Sequence, residues 1–279
     1  MRNSDRSLKV VAATRRDLQC ILDWLRDEYE WYGESFWTNE NLIRNYFING
    51  ELWVVREAGQ AVAFHAGRYN DPIVCVRREM QRRGYGTALA NAWIKGARRD
   101  GVNVLAGECM PQSSLPFWQK FGFTVYPDPD GEGRILVRLI IERDLDVPAD
   151  LPRTDVTVGV YPEAAAYKRD VEPIAVHRLR GAMQDDGTVL LERRTVVAGQ
   201  DEPDHKDPVV KIEAGGIERC FCKAKHLAAQ QAGVQRDPFG AFFIDAVPPG
   251  ADQPEDRARR PDRSSGGPAS WAGSAAADT

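Results

Sequence analysis

The chain has few cysteines and no long apolar run, and each shortage excludes a class of protein. Five cysteines, an odd number scattered along 279 residues, do not suit the disulfide framework of a small secreted domain. No run approaches the ~18 apolar residues that cross a bilayer, and residues 1–9 lack the apolar stretch of a signal peptide. We therefore expect a cytoplasmic protein without a membrane partner. The cysteines are Cys20, Cys75, Cys109, Cys220 and Cys222.

An excess of positive charge is also absent. The formal net charge is −4, which argues against a protein that binds nucleic acid through a broad basic face. With 43% hydrophobic residues the chain can bury a sizeable core, and a length of 279 residues favours two modest domains over one large domain. The sequence therefore predicts a two-domain protein with no nucleic-acid partner.

The most informative segment is the turn at residues 81–87. It follows the apolar run Ile73–Val76, which is typical of a buried strand, and precedes the helical periodicity of residues 87–99. Gly84 and Gly86 would let the backbone turn sharply and expose consecutive N–H groups at the start of the helix. Such a helix start binds phosphate groups. Four arginines would raise the local positive potential: Arg77, Arg78, Arg82 and Arg83.

A second motif lies downstream at residues 113–123, where Phe-Trp is followed by Gly-Phe. The pattern Gln-x-x-Gly-x-Gly at residues 81–86 and this second motif, in this order and spacing, resemble the GNAT N-acetyltransferase superfamily over about residues 8–145. The resemblance implies that the turn holds the pyrophosphate of acetyl-CoA. It also implies an enzyme that transfers an acetyl group directly to a primary amine of a small molecule or protein, with acetyl-CoA as cosubstrate and no metal.

The residue patterns of the first half predict the order strand, two helices, three strands, helix, strand, helix, two strands. Thr14 with Asp17 three residues later is typical of a helix start, and Gly59 lies in a predicted hairpin turn. This is the element order of the GNAT fold, so we expect an α/β fold with a mixed central sheet flanked by helices.

The resemblance also assigns the cofactor contacts. Backbone N–H groups of the strand before the turn would hold the pantetheine and face the thioester carbonyl, where negative charge develops. The turn at residues 83–88 would supply the pyrophosphate donors, and Ser113 or Ser114 would add a hydroxyl contact. The predicted cofactor-binding residues are Cys75, Val76, Arg77, Arg83, Gly84, Tyr85, Gly86, Thr87, Ala88 and Ser114.

Glu108, at the end of the predicted strand Val102–Gly107, is the predicted general base, because some members of the family place a glutamate there to accept the amine proton, directly or through water. The alternative is a solvated carboxylate at a strand end. In relatives the second motif forms a short helix, and a tyrosine of this helix is usually the general acid. The matching residue here is Trp118, and an indole cannot protonate a thiolate in that way. Tyr85, Ser113, Ser114 or water would then take that role.

Other reactive side chains have simpler interpretations. His65 could act as a base if it points into the cleft, but a hydrogen-bonded histidine within a sheet is the preferred interpretation. Cys75 and Cys109 invite an acetyl-cysteine mechanism, yet nothing beside them in the sequence would lower a thiol pKa, so buried cysteines are preferred.

The segment at residues 24–53 is rich in aromatic rings and contains Glu28, Glu30 and Glu34. In GNAT proteins the first two helices and their connection commonly form a wall of the acceptor site. Aromatic walls with acids nearby would suit a cationic amine acceptor with some apolar surface. The alternative is a helix face packed on the sheet together with solvated acids, and for the acids we prefer this alternative.

The second half resembles no family. We expect an acetyl-CoA-binding domain at residues 1–147, a linker at 148–153, a small α+β domain at 154–248 and a disordered tail at 249–279. Cys220 and Cys222 with His226, plus His205 or His177, do not match the spacing of a common zinc module, so core packing is preferred.

Two further functions stay open at this point. One is a non-catalytic acyl-CoA-binding or regulatory module. In that case Trp118 in place of tyrosine would indicate that catalytic activity has been lost, and the second domain would bind a partner. The other is transfer of a longer acyl group. A homodimer is also left open. Fold alone does not separate these functions, because function belongs to the site.

Overall fold

The computed structural model describes residues 8–69, 72–126, 128, 130–168, 170–198 and 207–250. The first half has the predicted order of elements, so the α/β expectation is confirmed. Its elements are β1 (Val10–Ala12), α1 (Arg15–Tyr32), α2 (Glu40–Ile48), β2 (Leu52–Glu57), β3 (Gln60–Ala66), β4 (Ile73–Val76), α3 (Tyr85–Arg99), β5 (Val104–Glu108), α4 (Leu115–Gln119), β6 (Thr124–Tyr126) and β7 (Leu136–Ile140).

Helix α1 begins where the sequence predicts. The Thr14 hydroxyl accepts a hydrogen bond from the Asp17 N–H group at 3.3 Å, and the Asp17 carboxylate accepts one from the Thr14 N–H group at 2.7 Å. This reciprocal pair satisfies two N–H groups that the first turn would leave without partners. The helix ends at Gly33, whose φ of 74° suits glycine and whose N–H group donates to the Tyr29 carbonyl.

Two separate sheets build the first half. Strands β1, β2, β3 and β4 form an antiparallel sheet in that order, and β5, β7 and β6 form a second antiparallel sheet with β7 in the middle. Helices α1 and α2 cover one face of the first sheet through a core that includes Leu22 and Phe64, while α3 covers the other face through Leu89. Strands β4 and β5 each end a sheet and are not paired with each other.

The second half consists mainly of one antiparallel sheet with the strand order β12-β11-β8-β9-β10-β14-β13. Its inward side chains, among them Val158, Leu191 and Ile212, form a core of their own. The elements are β8 (Arg153–Tyr161), β9 (Ala175–Met183), β10 (Val189–Val196), β11 (Val209–Ala214), β12 (Ile217–Lys223), α5 (Leu227–Gln231), β13 (Val234–Arg236) and β14 (Phe242–Val247).

Cys220 is part of the core of the second half and Cys222 packs against it, so these two cysteines are core residues. His205 lies outside the described residues, as does the predicted tail from residue 251 onward. Within the described ranges, no three histidine, cysteine or acidic side chains converge as metal ligands would. The same ranges contain no helix that is both long and apolar enough to span a bilayer.

The two halves meet at a buried polar junction. Asn103, just before β5, donates from its backbone N–H group at 3.1 Å and from its side-chain amide at 2.9 Å to one carboxylate oxygen of Asp237. The other oxygen accepts hydrogen bonds from the N–H groups of Phe239 and Ala241. Arg194 of β10 reaches the side-chain oxygen of Asn103 at 3.2 Å. The start of β5 is therefore held by the second half of the chain.

Candidate functional site

A cleft of about 960 Å³ runs between the open edges of β4 and β5. The two strands approach each other at one end, where a Cβ atom added to Gly107 would lie 3.7 Å from Pro72. Farther along, α4 comes close to the start of α3, and a Cβ atom added to Gly86 would lie 3.4 Å from the Phe117 ring and 3.6 Å from Val76. Glycines therefore lie at both places where these structural elements come close together.

The edge of β4 supplies backbone donors to this cleft. In an antiparallel ladder, alternate N–H groups point to opposite sides of the strand. The Arg77 N–H group donates to the Val62 carbonyl of β3 at 2.9 Å, so the Cys75 N–H group also points toward β3. The N–H groups of Val74 and Val76 then face the open edge. The N–H groups of Arg77 and Cys75 therefore do not face the cleft, although the sequence analysis predicted that they do. The Val76 N–H group faces it as predicted, and so does the Val74 N–H group, which the sequence analysis did not name.

The start of α3 supplies a second set of donors. Gly84 is the residue that precedes the first helical turn; its φ is 88°, and no side chain caps the helix. The N–H groups of Tyr85, Gly86 and Thr87 belong to the first turn, which has no carbonyl partners within a helix. The Ala88 N–H group already donates to the Gly84 carbonyl at 3.0 Å, so it is not available to a ligand, although it was predicted to be. Residues 84–87 all line the cleft.

The four arginines of this region do not act together. Arg77 pairs with Glu79 at 2.9 Å, Arg78 with Glu34 at 3.2 Å and Arg83 with Glu57 at 3.7 Å. Arg82 lines the cleft and has no ion-pair partner among the described residues. Its φ of 63° is uncommon for a residue with a side chain. Arg82 is therefore the arginine whose charge is directed at the cleft, while the predicted Arg83 is partly neutralised.

Glu108 is the last residue of β5 and lines the cleft with an exposed side chain. Its neighbours Leu105, Gly107 and Cys109 are buried, because alternate residues of a strand face opposite sides. Glu108 therefore points away from the core that α3 and the second sheet share. Among the described residues that line the cleft, Glu108 is the only carboxylate.

The hydroxyls proposed as proton donors differ in their surroundings. The Tyr85 side chain is buried, and its hydroxyl donates to Glu57; burial and this bond raise the pKa of Tyr85. The Ser114 hydroxyl is buried and faces the Cys109 thiol. Ser113 is exposed and lines the cleft. Tyr85 is thus unsuited to protonate a thiolate, and Ser113 is the accessible hydroxyl.

Trp118 forms part of the cleft wall and of an aromatic cluster. Its ring lies 5.0 Å from Phe117, 5.4 Å from Phe123 and 6.0 Å from Trp93, measured between ring centroids. The edge-to-face arrangement of these rings is a favourable one for aromatic packing. The larger indole therefore has a structural role at the position where the family usually has tyrosine.

His65 and the two nearby cysteines are buried groups. The His65 ring lies between Trp53 and Trp93, at 5.4 and 5.6 Å between centroids, and burial lowers its pKa to about 3. An imidazole with so low a pKa is a poor base at neutral pH. Burial raises the pKa values of the Cys75 and Cys109 thiols, and the Ser114 hydroxyl opposes this effect only in part at Cys109. Neither thiol has the thiolate character of a nucleophile.

The acids near the end of α1 are engaged with Arg78. The Glu28 carboxylate accepts a hydrogen bond from the Arg78 N–H group at 2.7 Å, and burial raises the pKa of Glu28. The Arg78 guanidinium binds Glu34 and lies 4.0 Å from the centroid of the Tyr32 ring. These acids do not line the cleft. From this part of the chain the cleft is instead lined by Phe36, Asn39 and Leu42, and the sequence analysis singled out neither Asn39 nor Leu42.

Comparisons with known proteins agree with the resemblance found in the sequence. The family model described as the acetyltransferase (GNAT) family matches residues 18–123, from α1 to the end of the Phe-Trp and Gly-Phe motif. The recognition of this family is confirmed for that segment, which is less than half of the chain. A search of curated protein sequences finds no match. The family match indicates acyl transfer in general.

Several solved structures match about half of this chain, with TM-scores below 0.5. N-acetylglutamate synthase from Neisseria gonorrhoeae, complexed with coenzyme A and N-acetyl-glutamate, is 16% identical over 49% of this chain and 35% of its own, with a TM-score of 0.39. Ard1 from Thermoplasma volcanium is 17% identical over 48% and 98%, with a TM-score of 0.38. PaiA N-acetyltransferase from Thermoplasma acidophilum, complexed with coenzyme A, is 16% identical over 48% and 98%, with a TM-score of 0.39.

Proposed function

We propose that this protein is an acetyl-CoA-dependent N-acetyltransferase that transfers an acetyl group directly to a primary amine. The observation that supports this most is that one cleft contains both the uncapped start of α3 and the open edge of β4. Residues 1–147 would form the acetyl-CoA-binding domain, and residues 154–248, after a linker at 148–153, a second domain. A cytoplasmic location also remains a prediction, and it would keep the five free cysteines reduced. A homodimer is likewise a prediction.

The two sets of backbone donors suit the two ends of the donor molecule. The N–H groups of Tyr85, Gly86 and Thr87, together with Arg82, would bind the pyrophosphate, because a helix start and a cation both favour anions. The N–H groups of Val74 and Val76 would bind the amides of the pantetheine arm as a neighbouring strand does. One of them would face the thioester carbonyl and stabilise the oxyanion that forms there. Ser114 stays a proposed contact through its buried hydroxyl.

The proposed reaction needs few groups. The neutral amine attacks the thioester carbon, the carbon–sulfur bond breaks, and coenzyme A leaves as a thiolate. Glu108 accepts the proton that the amine loses, directly or through water. The thiolate takes a proton from water or from the exposed Ser113, because Trp118 offers no acidic proton and Tyr85 is bound to Glu57.

Two variants test these roles. Gly84→Glu should weaken acetyl-CoA binding at least tenfold in calorimetry, because the new carboxylate would repel a pyrophosphate at the start of α3. Gly101→Glu is the matched control: Gly101 also has a positive φ, 77°, and a side chain there would meet open space beyond the other end of α3. Equal affinity in the two variants would contradict the proposed cofactor site.

Glu108→Gln should lower the rate of CoA release in the presence of an amine far more than it lowers the affinity for acetyl-CoA. It should also change the pH dependence of that rate. Glu30→Gln, an exposed acid of α1 outside the cleft, serves as the control. A rate unchanged at every pH would remove Glu108 from the mechanism.

A second candidate function has one observation in its favour. Trp118 fills the position where relatives usually have the tyrosine acid, and its ring is packed into an aromatic cluster. A non-catalytic acyl-CoA-binding or regulatory module would be compatible with this packing. That function predicts tight acetyl-CoA binding, no acetylated amine, and a partner bound by residues 154–248. Mass spectrometry of acetylated amines separates the two functions.

A further inference from the structure

One loop of the second half contacts both chain segments that lead into the strands bordering the cleft. This loop, residues 237–241, connects β13 with β14. The Asp237 carboxylate accepts hydrogen bonds from the backbone and the side-chain amide of Asn103, the residue before β5. The Phe239 ring lies edge-to-face on the ring of Tyr69, in the connection between β3 and β4, with 5.1 Å between the centroids. The loop therefore joins the approach to β4 with the approach to β5.

The contact at Asn103 is specific in its geometry. Asn103 and Asp237 are both buried. The second Asp237 oxygen accepts two N–H groups of its own loop, which fix the carboxylate. The side-chain oxygen of Asn103 accepts a hydrogen bond from Arg194, and the Arg194 guanidinium is itself held by Asp245. Because a buried polar group without a partner is costly, this arrangement allows Asn103 little displacement.

The second half also holds the chain that continues from β7, the strand beside β5. Strand β7 pairs with β5 along the whole length of β5. Beyond β7, the Arg194 N–H group donates to the Arg143 carbonyl, and the Leu145 N–H group donates to the Glu192 carbonyl, both at 2.9 Å. The sheet that ends in β4, by contrast, pairs with no strand of the second half in the described part of the chain. Backbone bonds therefore attach the β5 side of the cleft to the second half.

This attachment bears on Glu108, the last residue of β5, five positions after Asn103. Among the described strands, β5 pairs with β7 alone, because its other edge borders the cleft. The proposed acetyl-CoA contacts lie on the other wall, at Val74 and Val76 of β4 and in the first turn of α3. The distance between the Glu108 carboxylate and the bound thioester would therefore depend on how β5 is held relative to β4.

We propose that residues 154–248 position the β5 wall of the acetyltransferase cleft, with Asp237 as the positioning residue. This inference rests on the proposed acetyl transfer. None of the described cleft-lining residues comes from the second half, so it acts through β5 and touches neither substrate. A displacement of about 1 Å at a catalytic group can cost about 100-fold in rate. A junction outside the cleft can therefore control turnover.

Asp237→Ala in the full chain tests the inference. The Kd of acetyl-CoA, measured by calorimetry, should change less than threefold, because its proposed contacts lie on β4 and α3. The kcat per folded molecule should fall at least tenfold, measured as coenzyme A release with the fastest of three amines: 2-phenylethylamine, spermidine and a peptide with a free N-terminal amine. Asp237→Asn, which keeps one acceptor oxygen, should recover part of kcat. An unchanged kcat, or equal losses of kcat and affinity, would overturn the inference.

Glu163→Gln is the matched control. It removes a carboxylate that pairs with the buried Lys223 inside the second half, where its segment packs on β11 and β12. This variant also loses a polar bond of the second half, but the bonds at Asn103 stay intact. Its kcat per folded molecule should equal that of the wild type. A loss of kcat as large as that of Asp237→Ala would contradict a specific role of the junction.

Hydrogen exchange separates this inference from the proposed function, because it needs no substrate. In Asp237→Ala the β5 amide protons that bond to β7 should exchange at least tenfold faster than in the wild type, while those of β3 should keep their rates. Unchanged rates in β5 would overturn the inference even if kcat falls. If the wild type neither binds acetyl-CoA nor acetylates any of the three amines, the proposed function fails and the inference about turnover fails with it. The exchange rates then still decide whether Asp237 holds β5.

Discussion

Mild acid should destabilise the folded protein through His65, a group that takes no part in the proposed reaction. Its imidazole is 4% exposed, lies between the Trp53 and Trp93 rings, and has an Nε2 atom with no hydrogen-bond partner in the described residues. Burial disfavours the charged imidazolium. The pKa of His65 therefore falls from an ordinary 6.5 to about 3 in the folded state.

The sign and size of the effect follow from proton binding. Below pH 6.5 the unfolded chain binds a proton at this residue and the folded chain does not, so stability is greatest above pH 6.5 and falls as the pH decreases toward 3. Each pKa unit corresponds to about 1.4 kcal/mol, which gives a loss of about 3 kcal/mol between pH 7.5 and pH 4. A loss of this size is a large fraction of the ~5–15 kcal/mol that stabilises a typical protein.

Urea unfolding followed by tryptophan fluorescence measures this loss. His65→Leu should lower the free energy of unfolding at pH 7.5 only modestly, because the volumes are similar, and should remove the loss between pH 6.5 and pH 4. The exposed His226→Leu is the control for losing one histidine elsewhere. His177, whose pKa burial also lowers, titrates in both proteins and cancels in the difference. Parallel curves for wild type and His65→Leu would refute the reasoning, since they would mean that the folded protein accepts the proton.

Two further predictions concern buried carboxylates. Asp17→Asn should lower the free energy of unfolding by about 2–3 kcal/mol at pH 7, because Asp17 binds the Arg56 guanidinium and the Thr14 N–H group. The Arg56 guanidinium holds the pKa of Asp17 well below its usual range. The free energies of unfolding of wild type and Asp17→Asn should therefore converge only below about pH 4. A constant difference between these free energies at all pH values would contradict this prediction. Asp237→Ala should cost about 3 kcal/mol or more, because it leaves the buried Asn103 N–H group without an acceptor, and Asp237→Asn, which keeps one oxygen, should cost less; equal urea midpoints for the two variants would argue against that bond.

Local signals in the sequence predicted most of the fold. Thr14 and Asp17 marked the start of α1, and the bounds of β4 agree with the predicted strand Ile73–Val76 residue by residue. These features depend on neighbours in the chain, so periodicity and capping residues reveal them. Gly84 was also recognisable, because few other residues suit its φ of 88° at the turn into α3, whereas Gly86 lies within the helix.

Features that depend on distant residues could not be predicted in this way. Which N–H groups of β4 face the cleft depends on its register with β3, and that register made Val74 rather than Cys75 a candidate donor. The pairing of Arg78 with Glu34 joins residues 44 positions apart, and the bond between Asn103 and Asp237 joins residues 134 positions apart. Composition indicated that these charges exist, but only the three-dimensional arrangement shows which of them remain available to a ligand.

The open edges of β4 and β5 have a consequence for the unliganded protein. Unpaired strand edges commonly recruit strands of other molecules and so promote aggregation. Here the two edges face each other across a recess, close together at Pro72 and Gly107, so a strand from another copy has little room to approach either one. A slender, flexible chain such as a pantetheine arm can enter where a polypeptide strand with its side chains cannot. The splayed sheets would thus select their ligand by width, and these two strand edges would be shielded from pairing with a strand of another copy.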